Sequence, residues 1–320
     1  MRSKAGLIKP PRLCPGDLVG IAAPASPPPD PAALDACVAA VEAMGFKPRL
    51  GRHARKRLGF LAGSDRERAA DLMAFFTDRK VKGILCVRGG YGTARLLPRL
   101  DFHAIRQNPK VFVGYSDITS LHCAFLAKSG LVSFHGPMLN SDFIQDPPAY
   151  TREAFLRVVS GAAAGSIRTG CKKAKPMTLR GGKASGRLIG GNLTLLCSTL
   201  GTAAQPSFRD AILFFEDLGE EPYRFDRMLT QLLLAGLLSQ VSGVAIGTNK
   251  DCFDPKAKTC REYRQTVEDV FRERLLPLKV PVVAGLPFGH VPLNATLPIG
   301  IRATLDGTQA DLVLEEPAVT

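Results

Sequence analysis

The sequence predicts an α/β protein: an N-terminal, Rossmann-like domain on a parallel sheet, followed by a smaller C-terminal α/β domain. Three observations carry this. Short apolar runs of strand length (DLVGIAAP, VKGILCV, KVFVG) alternate in the first half with segments of helical period. Turns rich in glycine or polar residues follow those runs, at the carboxyl ends where ligands bind in parallel sheets. After a Gly/Ala/Lys-rich stretch the pattern resumes with GRLIGG, AILFFE, VSGVAIG and VPVVAG. The expected division is an N-terminal domain over 1–160, a linker over 161–185 and a C-terminal domain over 186–320.

Taken in order, the first strand runs into the proline-rich ASPPPDP, and a helix is expected from Pro31 to Met44, with Asp30 as cap and Gly45 as terminator. Ser64 and Glu67 form a capping box that opens a helix through Phe76. A buried strand over 81–87 leads into Arg88-Gly89-Gly90-Tyr91-Gly92 and a further helix. Val111 to Val113 form the next strand, Gly114 ends it, and from Asp117 the spacing of Ile118, Leu121, His122 and Phe125 is helical. Leu131 to Phe134 form another strand before HGPMLN. In the second half a strand over 211–215 ends in Glu216 and Asp217, a helix starts at Pro222, and a strand over 280–284 runs into a Gly/Pro turn that carries His290. The tail reads as two strands around Asp306-Gly307.

The composition, 45% hydrophobic and 22% charged over 320 residues, is that of a globular chain with room for two cores. No apolar run reaches the ~18 residues of a membrane span, and prolines interrupt the N-terminus where a signal peptide needs a continuous apolar region. Cytoplasmic residence and no membrane partner are the expectation. Eight cysteines show no C-x-x-C pair, which fits reduced, core-filling thiols and no metal site; Cys252 and Cys260, in a polar loop, are the pair to watch. A net charge of +13 raises the question of nucleic acid. The basic residues are scattered, however, and no aromatic-interleaved stripe accompanies them. A basic surface that draws in acidic small substrates is the better reading, with no nucleic-acid partner.

A serine between strand and helix has two uses. It can cap the helix, the commoner one, or be a nucleophile whose oxyanion is held by helix N-terminal N–H groups. Ser116 stands at such a point, although Ile118 occupies the place of the second glycine of a G-x-S-x-G elbow. Glu216 and His290, each just beyond a strand, complete the chain order serine, acid, histidine. In that reading His290 takes the Ser116 proton, Glu216 orients the imidazole, and N–H groups near Asp117 and Gly89 or Gly90 hold the oxyanion. Asp217, Glu220 and Glu221 compete with Glu216 for the acid role; its strand-end place favours Glu216. His135 is a second base candidate, more often structural before a Gly-Pro turn, and His122 reads as a packed residue.

The segments RGGYG, VFVGYSDITSL, FHGPM, GGNL, LFFEDLGEEPYRFDRML and GLPFGHVPLNATLPIG together resemble the LD-carboxypeptidase family of serine peptidases, over about residues 15–313. That family includes murein tetrapeptide carboxypeptidases and microcin-immunity proteins. The resemblance implies a triad of Ser116, Glu216 and His290, no metal or other cofactor, homodimers, and hydrolysis of the L,D-amide bond that releases terminal D-Ala from cytosolic muropeptides in cell-wall recycling. A carboxypeptidase must bind a terminal carboxylate, for which Arg88, Arg224 and Arg227 are candidates, with Tyr91 beside them. Helix arginines at this spacing also pair with Asp226 or Glu221. The alternatives are hydrolysis of a microcin-type peptidyl-nucleotide for self-immunity, or a non-catalytic basic binding module.

Overall fold

A computed structural model describes residues 6–161, 164–258 and 264–320. Cys260 lies outside the described residues, and Cys252 donates instead to backbone oxygens of Asp217 and Lys250. The chain folds around two sheets. The first begins β1 (Leu18–Ala22), α1 (Ala33–Ala43), β2 (Lys47–Leu50), α2 (Asp65–Thr77), β3 (Val81–Cys86), α3 (Phe102–Gln107), β4 (Val111–Gly114), α4 (Thr119–Ala124) and β5 (Ser133–His135). These five strands run parallel in the order β5-β4-β3-β1-β2. All but the edge strand β2 are largely buried on both faces, as expected of a parallel sheet covered by helices.

After α5 (Ala149–Val159) come β6 (Gly165–Ser166), β7 (Met177–Arg180), β8 (Lys183–Asn192), α6 (Leu193–Ser198), β9 (Ala211–Glu216), α7 (Pro222–Leu234), β10 (Gly243–Ile246), α8 (Val267–Leu275), β11 (Val282–Ala284), β12 (Leu297–Ile299), β13 (Arg302–Asp306) and β14 (Asp311–Leu314). The second sheet has the order β6-β14-β13-β8-β9-β10-β11-β7. The stretch expected to be a linker thus contributes two edge strands. β12, although it comes from the second half, pairs antiparallel with β5 and completes the first sheet at six strands.

Two helices depart from expectation. The first starts at Ala33, because the Asp30 carboxylate accepts from Ala32 N and holds the two preceding residues in a turn. After the glycine turn only a 3-10 stretch forms, Ala94–Arg99, since Pro98 supplies no N–H to extend it. The Ser64–Glu67 capping box is present.

One core lies between the sheets and joins Val111 and Val113 of β4 to Leu188, Ile212 and Phe214; the other faces of the two sheets carry cores of their own. Along β9 the even residues face the shared core while Leu213 and Phe215 face away. Glu216 continues the even, inward row. The sheets come closest where β8 ends: a Cβ on Gly191 (φ 144°) would stand 2.5 Å from Thr119 Oγ1, so only glycine lets the turn approach the start of α4. Among the described residues no helix is long and apolar enough to cross a membrane.

Candidate active site

Ser116 sits directly beyond β4 with φ 63°, the left-handed region that a serine adopts only when its surroundings force it. Three contacts impose the bend. His122 Nε2 bonds Gly114 O and its Nδ1 bonds Ser133 Oγ, both at 2.8 Å, which pins the strand end from α4. The Asp117 carboxylate, buried, accepts from Thr93 N at 2.9 Å, and the Thr93 hydroxyl donates to Asp117 O. The glycine turn is thereby tied to the bend. Its Gly89 lies against Ser116: a Cβ there would meet Ser116 Oγ at 3.0 Å and Asp117 N at 3.3 Å.

On the other side Glu216 and His290 meet. His290 Nδ1 stands 2.6 Å from Glu216 Oε2, with the carboxylate fully buried and the imidazole side chain 14% exposed. The ring also packs edge-on against Tyr115, the neighbour of Ser116, at 4.8 Å between centroids. Burial alone would push the imidazole pKa down, but the Glu216 hydrogen bond and charge, with Asp217 and Asp142 behind them, outweigh it and hold it above its ordinary value. The Glu216–His290 pair from the second half thus packs on Tyr115, the residue next to Ser116 in the first.

The neighbouring acids have other employment. Asp217 accepts from Asn192 Nδ2 at 2.8 Å, from Thr194 N at 3.0 Å and Oγ1 at 2.9 Å, and from Leu218 N at 2.9 Å, while Asn249 holds its backbone N–H. That network fixes the β8 and β9 ends and leaves Asp217 no lone pair for His290. Glu220 and Glu221 pair with Arg224. Arg224 is so occupied and lies with Arg227 over the Tyr223 ring. Asp226 is held by Arg274. Arg88, half-buried at the end of β3, forms no ion pair among the described residues, and Tyr91 is exposed in the glycine turn.

His135 lies nearby but differently, fully buried among Tyr115, Phe214 and Phe288 with neither ring nitrogen hydrogen-bonded. Burial drives its pKa well below the ordinary value. Several site residues gave no signal in the sequence. Asp142, whose carboxyl burial raises to about 6, accepts from Met138 N and interacts with Tyr115. Arg68, 2% exposed, bonds Pro24 O and Gly92 O and braces two of the loops at the strand ends. A buried arginine on an amphipathic helix cannot be told from a surface one by periodicity alone.

A buried carboxylate–imidazole pair at strand ends, beside a serine in a forced backbone conformation, has the groups that nucleophilic hydrolysis needs. Two family profiles match the chain, the LD-carboxypeptidase N-terminal domain over residues 19–136 and the LD-carboxypeptidase C-terminal domain over 185–305. The chain is similar to the probable murein peptide carboxypeptidase of Bacillus subtilis, 40% identical over 309 residues, 96% of this chain and 94% of that one. The solved muramoyltetrapeptide carboxypeptidase from Oxalobacter formigenes superposes with a TM-score of 0.78 at 32% identity, covering 94% of this chain and 99% of that one. The microcin C7 self-immunity protein MccF, in its apo state, superposes at 0.85 with 27% identity, covering 98% and 100%. The chain belongs to the LD-carboxypeptidase family and is a peptidase of the carboxypeptidase class.

Proposed function

We propose that this protein is a serine-type LD-carboxypeptidase that removes the terminal D-Ala from murein tetrapeptides during cell-wall recycling, acting in the cytoplasm as a homodimer. Ser116 is the nucleophile. With Glu216 ionised, His290 donates from Nδ1 to it, so that Nε2 is the basic nitrogen. Nε2 takes the Ser116 proton as Oγ attacks the carbonyl carbon of the diaminopimelate–D-Ala amide. The N–H groups of Asp117 and of the Gly89-Gly90 turn receive the oxyanion. His290 then gives its proton to the departing D-Ala amine, and a water activated by the same nitrogen hydrolyses the acyl-enzyme. Arg88 is the best-placed cation for the substrate's terminal carboxylate, since Arg224 is already paired.

The observation that carries this reading is the 2.6 Å His290–Glu216 contact, its ring on Tyr115, beside a serine in a forced backbone conformation. Two relatives named for murein or muramoyl peptides support the substrate; MccF supports the rival, a peptidyl-nucleotide. The test is D-Ala release from a disaccharide tetrapeptide, followed by mass spectrometry. Release that falls about 10⁴-fold or more in Ser116→Ala supports the proposal. Release that survives the substitution ends it, and a wild type that cleaves only a peptidyl-nucleotide transfers the function to the rival.

A further inference from the structure

Above the glycine turn stands an aromatic surface that the proposed mechanism does not use. Phe60 is 62% exposed and Tyr91 53%, with ring centroids 5.6 Å apart at 64°, and Leu58 beside them is 57% exposed. Large apolar side chains grouped at this exposure mark a contact surface. The group is held rigidly from below. Leu58 and Leu61 exchange backbone hydrogen bonds at 2.8 and 3.0 Å, closing a tight turn that projects Phe60. Leu61 is buried against Gly92, where a Cβ would stand 2.5 Å from its methyl group. Tyr91 N donates to Ser26 Oγ at 3.2 Å, and Arg57 bonds Pro28 O at 2.6 Å, which ties the turn to the loop after β1.

We infer that the Phe60–Tyr91 pair is a saccharide-binding platform that stacks on the C–H face of a pyranose carried by the peptide substrate. This rests on the reading of the site as a tetrapeptide carboxypeptidase. Tyr91 follows, by two residues, the Gly89 that touches Ser116, so its Cα lies within ~7 Å of the Gly89 Cα. In a tetrapeptide attached to its sugar through the first residue, the sugar begins three residues from the scissile bond, roughly 10 Å in extended chain. Tyr91 is within reach of that position, and the Phe60 ring lies 5.6 Å from the Tyr91 ring. An aromatic face suits a ring with axial hydrogens, and the Tyr91 hydroxyl offers a donor and an acceptor to its hydroxyl groups. A free tetrapeptide has nothing at that position to stack.

Two measurements test it. KM is compared for the disaccharide tetrapeptide and for the free tetrapeptide in the wild type, Phe60→Ala and Phe60→Tyr. The ratio of the two KM values should move about tenfold against the saccharide-bearing substrate in Phe60→Ala and return in Phe60→Tyr, the size of one lost stacking contact. Separately, binding of the peptide-free disaccharide N-acetylglucosaminyl-N-acetylmuramic acid is followed by saturation-transfer NMR. Binding by the wild type that is lost in Phe60→Ala supports the platform even if no peptide is cleaved, which keeps this inference apart from the hydrolytic reading. An unmoved ratio, or no disaccharide binding, overturns it. So does a Phe60→Ala protein that changes only its oligomeric state in light scattering, since the patch would then be a protein interface.

Discussion

Two histidines flank the Tyr115 ring, His290 at 4.8 Å and His135 at 5.8 Å between centroids; His135 closes β5 and His290 lies in the turn beyond β11, each ahead of a proline. Their chemistry diverges because of a single neighbour. His290 meets a buried carboxylate and keeps a raised pKa despite its own burial. His135 meets only aromatic rings, so desolvation has no opponent and the imidazole is held neutral. What separates a base from a packing residue here is the inward row of β9, where Phe214 touches His135 and Glu216, two residues on, touches His290.

The largest expected effect removes that difference. Glu216→Gln keeps shape but loses the charge, and kcat/KM should fall about 10⁴-fold, as when an orienting acid is neutralised in such a triad. The residual activity should also carry a shifted acid limb. In the proposed mechanism the base form of His290 reacts, so activity should fall as pH drops through its raised pKa; without the carboxylate that limb should move to lower pH. A pH profile with an unmoved limb would detach Glu216 from His290.

A smaller effect is expected on stability. His122, lowered to about 4, and His135, pushed well below its ordinary value by burial, are bases with depressed folded-state pKa values. The unfolded chain binds their protons first, at about pH 6.5, so the stability they contribute is complete above that pH and is lost as pH falls from 6.5 towards 4. Stability to urea should therefore weaken over this window, by up to about 3 kcal/mol from His122 alone. His135→Phe should flatten the dependence; an unchanged slope would mean that His135 is not buried as described. The smallest effect sharpens the comparison from the other side. His135→Phe should change kcat/KM by less than about threefold, because the ring packs and does no chemistry, and a hundredfold loss would place His135 in the chemistry.

Much of this site was legible in the chain. Ser116, Glu216 and His290 each close an apolar run, and the parallel architecture puts such ends on one side. The alternation Ile212, Phe214, Glu216 even favours Glu216 over Asp217, whose four hydrogen bonds to Asn192, Thr194 and Leu218 settle its structural part. Pairing over long sequence distances was not legible. β6 and β7 are short, polar edge strands whose composition is that of a linker, and β12 carries a proline and no period-2 pattern, so its place beside β5 is decided by tertiary packing alone. The helix of the glycine turn failed for a local reason, Pro98.

β12 also has a bearing on how the molecule is made. Until residues 297–299 leave the ribosome, the β5 margin of the first sheet offers its unpaired amides to any passing strand, long after the neighbouring β4 has emerged. The first sheet reaches its six strands only once β12 has been made. A strand made late thus closes a sheet begun early, and synthesis order separates that sheet's first members from its last.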